Sequence, residues 1–127
     1  MLYKPGVVSI WFGNIANEYL LEEYVDLTYD EDGDSLLSKF YIDFKIDSTE
    51  TDEDFMEKGI LNEKSNDISK LLKGCSYDED IIPNVIKKVN ITKKYNALIL
   101  IYNFEYENTI HTTGDFEFVI ATRYEEL

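Results

Sequence analysis

A chain of 127 residues with 44% apolar content and abundant Phe and Tyr fits one folded domain over 1–127, and it is too hydrophobic to be a disordered acidic tail. Its formal net charge of −14 argues against nucleic acid or an anionic membrane as ligand, since both repel a surface of that sign. The single cysteine, Cys75, cannot close an internal disulfide, and no apolar run suits a leader or a membrane span, so a cytoplasmic protein is expected.

The first element is VVSIWF at 7–12, β-branched and aromatic throughout, which reads as a buried strand closed by the turn pair Gly13 and Asn14. Asn17 suits the cap of a helix running to Val25, with Leu20, Leu21, Tyr24 and Val25 on one stripe and Glu18, Glu22 and Glu23 facing water. The acidic stretch YDEDGDS follows, after which Asp34 or Ser35 is placed to cap a second helix ending near Phe44. A second acidic loop, DSTETDED at 47–54, leads into FMEKGIL, whose period suits only a short or edge strand.

Ser65 or Asn66 opens a third helix, DISKLLK, which Gly74 ends by tolerating positive φ. Ser76 and Glu79 match a capping box ahead of IIPNVIKKV, where Lys87 and Lys88 complement the C-terminal end. The last third is β: NALILIYNFEY at 96–106 and FEFVIAT at 116–122 read as a hairpin across the polar segment ENTIHTTGD. Strands at both ends with helices between give an α+β fold. The expected architecture is a small, mainly antiparallel sheet, made of the N-terminal strand and a C-terminal hairpin, covered on one face by about four helices, with the N-terminal strand either beside the C-terminal pair or between its strands.

Charge is unevenly placed. From Glu18 to Glu57 fifteen acids face only Lys39 and Lys45, whereas from Lys58 to Phe104 eight lysines outnumber five acids. Charge that serves solubility alone is normally mixed in sign, and a one-sign field destabilises the compact state by self-repulsion. A basic protein partner supplies the compensating benefit, because opposite fields steer association.

Other chemistry fits less well. Counting an EF-hand from Asp30 puts Gly33 at the fourth position, Ser35 at the sixth and Tyr41 at the twelfth, so the calcium-loop spacing fails and no metal site is assigned. His111 lies in a polar loop with no identifiable nucleophile, Cys75 reads as a small apolar residue, and GVVSIWFG spaces its glycines too widely for a phosphate cradle. No catalytic residue and no cofactor are expected. Trp11 suits the core of the first strand, and at a strand end it also suits a rim anchor for a partner.

Seven blocks, V-S-I-W-F-G-N at 8–14, Y-D-E-D-G-D at 29–34, S-K-F at 38–40 with D-F at 43–44, D-E-D-F at 52–55, L-L-K-G-C-S-Y at 71–77, I-P at 82–83 and L-I-Y-N-F-E-Y at 100–106, together resemble the immunity protein 22 family. The family pattern has a glycine after D-F, where this chain has Lys45, and an aromatic where Cys75 stands. The resemblance implies a non-catalytic antidote of a bacterial polymorphic toxin system, which binds and blocks a cognate toxin, typically a nuclease with a positive cleft. Trp11 is then the tryptophan of a W-x-G element. Asp30, Glu31, Asp32, Asp34, Asp52, Glu53 and Asp54 become candidate contacts to toxin Lys and Arg, with Tyr29 as an aromatic hot spot. A different acidic adaptor and a divalent-cation module are the alternative readings.

Overall fold

Val8, Ile10 and Phe12 alternate with Ser9 and Trp11 along the first strand, and all five are completely buried. Both sides of that strand must therefore be covered. In the computed structural model, which describes residues 3–26, 28–29, 35–36 and 38–125, this strand is β1 (Tyr3–Gly13), the middle of a five-stranded sheet. Chain order then runs α1 (Glu18–Val25), β2 (Thr28–Tyr29), β3 (Ser35–Leu36), α2 (Lys39–Phe44), β4 (Met56–Ser65), α3 (Ile68–Leu72) and α4 (Asp78–Lys88). It closes with β5 (Tyr95–Phe104), β6 (Thr112–Thr113) and β7 (Phe116–Arg123). The sheet order is β4-β5-β1-β7-β6 with every pairing antiparallel, so the class is α+β.

Two expectations about the sheet are corrected. β5 and β7 do not pair with each other: β1 lies between them, with Leu100 and Ile120 on either side of Ile10. The hairpin that does form is β6 with the start of β7, Thr113 opposite Phe116. A strand apolar on both faces gains most at the centre, where its hydrogen bonds are also satisfied on both edges.

Helices cover both faces rather than one. Val8, Ile10, Phe12, Leu98 and Leu100 pack under α3 and α4 through Leu71, Leu72, Ile81 and Val85. Trp11, Ala97, Ile99 and Ile101 face the other way, against Leu21 and Val25 of α1 and Phe40, Tyr41 and Phe44 of α2. This explains why ALILIY reads as one continuous apolar run without being part of a parallel sheet.

Local signals decide the helix ends. Asn17 caps α1 as expected, its Oδ1 accepting from Leu20 N at 2.9 Å. α2 starts later than the sequence suggests, because Ser35 and Leu36 are used in β3 opposite Tyr29 and Thr28, and Ser38 accepts from Tyr41 N at 3.1 Å as the true cap. At its other end Lys45 is left-handed (φ 53°), and Ile46 N–H reaches back to the Tyr41 carbonyl at 2.8 Å. That closure is the one a glycine normally provides, and here a lysine adopts it. Asp67 rather than Ser65 or Asn66 caps α3, and Gly74 beyond its end has φ +91°.

The Ser76 capping box does not form. Tyr77, left-handed at φ 61°, precedes α4 without a side-chain cap, while Asp78 accepts from Gly74 N at 2.9 Å. Ser76 N–H instead donates to Glu57 of β4 at 2.8 Å, and the Tyr102 hydroxyl donates to the same carboxylate. MEKGIL thus belongs to a ten-residue edge strand, pinned through Glu57 to the α3–α4 connection. Burial first and Glu57 second raise the Tyr102 pKa well above the usual tyrosine range. Burial likewise pushes the Cys75 thiol up to about 12, as suits an inert apolar residue.

Candidate interaction surface

The Trp11 ring is completely buried, with Phe40, Tyr106 and Phe118 at 5.0, 5.3 and 5.3 Å and Phe44 at 5.9 Å between ring centroids. Of the two roles open to it, rim anchor and core, it fills the core. Its Nε1–H is buried without a conventional hydrogen-bond acceptor in this aromatic enclosure. Gly13, two residues on, has a matching structural reason. A Cβ there would lie 2.5 Å from the Asp115 carbonyl oxygen and from the Phe116 ring, so glycine is required by the close approach of β7.

The acidic block at 29–34 is only partly in view. Tyr29 pairs with Ser35 through its backbone, while Asp30, Glu31, Asp32 and Asp34 lie outside the described residues. In the second block Asp52 and Asp54 are exposed. Asp52 uses one carboxylate oxygen locally, accepting from Asp54 N at 2.9 Å, and Glu53 and Phe55 form a short 3-10 turn with Asp54 between them. The turn runs directly into Met56 at the start of β4. Upstream, Thr49 donates to Asp47 through both its N–H and its hydroxyl, and these bonds hold the Asp47 carboxyl below its ordinary value.

The structure adds residues that the sequence pattern did not single out. A groove of about 600 Å³ lies between α1 and edge strand β4, lined by Tyr19, Glu22, Glu23, Asp26, Met56 and Lys58. A smaller hollow of about 190 Å³ continues it, sharing Glu22 and Lys58. On the other flank of α1, Leu20, Tyr24, Asp43 and Asp115 help line a space of about 270 Å³. The Tyr24 hydroxyl donates to Asp43 at 3.0 Å and its ring stacks on Phe116, which ties α1 to α2 and β7.

The approach to α1 is also fixed: Asn96 accepts from Ile15 N at 2.9 Å and donates to Ile15 O at 2.7 Å. Among the described residues two ion pairs form, Lys4–Glu105 and Lys93–Glu117, and neither uses an acid of α1 or of 47–54. Exposed carboxylates that form no ion pair among the described residues therefore lie beside an exposed Tyr19.

Comparison with protein families places the chain. The model described as Immunity protein 22 matches residues 8–125, and the chain belongs to that family. Membership supports a role as an immunity protein and, with it, a non-enzymatic inhibitor that binds a cognate toxin. Comparisons with curated proteins and with solved structures gave no match. Among the described residues no helix is long and apolar enough to cross a membrane.

Proposed function

We propose that this protein is a cytoplasmic, single-domain antidote that neutralises a basic bacterial toxin, a nuclease, by laying an acidic surface against its positive substrate cleft. The observation that carries the reading is the set of exposed acids on α1 and at 47–54 that pair with no cation among the described residues. A nuclease cleft must be positive to hold phosphates, so a folded polyanion excludes the substrate by competition. Asp30, Glu31, Asp32, Asp34, Asp52, Glu53 and Asp54, with Tyr29, are the proposed contacts, through charge-assisted hydrogen bonds to Lys and Arg. Trp11 is not among them, because its burial leaves nothing for a partner to touch.

Co-expression tests the reading. The chain is produced together with the toxic product of its neighbouring gene, and growth is scored. Growth should be restored by the wild type and lost when Asp30, Glu31, Asp32 and Asp34 become Asn or Gln. Absence of rescue by the wild type would sink the antidote reading. Rescue by the neutralised variant would move the interface off the acidic block.

A further inference from the structure

We infer that the groove between α1 and edge strand β4 is where a basic segment of the toxin docks, with Tyr19 and Glu22 as its main contacts. The inference rests on the antidote reading above and assigns it a place in the fold that neither acidic sequence block specifies.

α1 is stitched down on one side only. Leu21 and Val25 are buried against the sheet, whereas Tyr19 is 69% exposed, unusually open for so large a ring. Across the groove, β4 alternates. Glu57 points to the α3–α4 side, where Ser76 and Tyr102 hold it, and Met56 and Ile60 pack toward the Trp11 side. Period two therefore puts Lys58 on that same side, and it lines the groove together with Met56. The groove thus has apolar matter in Val25 and Met56, and a rim of three carboxylates, Glu22, Glu23 and Asp26, against the single ammonium of Lys58.

Such a surface matches a Lys or Arg side chain in both of its parts. The methylene stem lies on apolar atoms and the cationic head meets carboxylates. A neutral or acidic segment would leave the rim acids unpaired. Glu23 lies one helical turn from Tyr19, on the same side of α1, and its carboxylate raises the Tyr19 pKa above the ordinary value. β4 is the sheet's outermost strand, so among the described residues no neighbouring strand closes the groove from outside. A segment several residues long therefore has room to lie along it. The chain's own lysines on α3 and α4 belong to the opposite face, and self-association through the groove would bring together two molecules of charge −14 each.

The test measures Kd for the purified toxin with wild type, with Tyr19→Ala combined with Glu22→Lys, and with Ile86→Ala combined with Lys87→Glu on α4 as a control. Ile86 and Lys87 are exposed like Tyr19 and Glu22, and thermal melting checks that all three proteins fold. The groove variant should bind about thirtyfold or more weakly, the loss expected of a central hot spot, while the α4 control keeps wild-type affinity. Unchanged affinity in the groove variant, with the wild type binding, overturns the docking site and leaves the antidote reading standing. Failure of the wild type to bind overturns both. A wild-type dimer that the groove variant abolishes would assign the groove to a second copy of the chain and likewise overturn the inference.

Discussion

Trp11 and Gly13 are the two residues of the W-x-G element whose role the structure makes most explicit. One fills an aromatic enclosure and the other lets β7 approach within a distance that no Cβ permits. The motif is thus accounted for by packing, without a toxin contact. Gly13→Ala should destabilise the fold by about 2 kcal/mol or more, since the clash includes the Asp115 backbone oxygen, which cannot rotate away as a flexible side chain would. Urea unfolding measures this, and a change below about 0.5 kcal/mol would mean that the strands relax freely at that point. Trp11 was legible as a core residue from its place in an apolar run, but its surroundings were not, since Phe40, Tyr106 and Phe118 come from three separate segments. Lys45 was legible as an oddity, and its left-handed φ shows why a glycine is at home there.

At the scale of elements, β1 and α1 could be read directly because a β-branched aromatic run and an Asn cap are local signals. β4 could not. MEKGILNEKS mixes charge, glycine and apolar residues, since one edge of the strand is open and only its inner edge pairs with β5. β2 and β3, two residues each, are too short to have a period. The order of strands was hidden for a different reason: VVSIWF and ALILIY are apolar on both faces, so pattern alone does not say which is central.

Tyrosines bonded to carboxylates hold elements together, Tyr102 joining β5 to Glu57 of β4, and they give a pH dependence. Tyr24, Tyr95 and Tyr102 all have pKa values raised above the ordinary value near 10, by burial first and by a carboxylate partner next. A folded-state pKa above the unfolded one contributes stability that is complete below about pH 10 and is lost as pH rises toward the folded value. The melting temperature should therefore hold between pH 7 and 9 and fall above 10, less steeply in Tyr102→Phe than in wild type. A fall already under way at pH 8, or identical alkaline slopes in the two proteins, would contradict this.

For the whole molecule the decisive quantity is a charge of −14, unevenly placed along the sequence. The helices on the Trp11 side, α1 and α2, flank the acidic stretches in sequence, while Lys70, Lys73, Lys87 and Lys88 belong to helices on the other side. The sign of each half was plain from the sequence. That the halves cover opposite faces of one sheet, and that α1 and β4 enclose a groove, depends on contacts between residues far apart in the chain. A net charge of that size attracts a positive partner at a distance comparable to the Debye length, before any contact is made. The most direct measurement is the association rate with the purified toxin between 50 and 500 mM salt. A fall of about tenfold or more across that range, much reduced in the variant with Asp30, Glu31, Asp32 and Asp34 neutralised, is the expected result. A rate that does not depend on salt would contradict the claim that acidic charge brings the two proteins together.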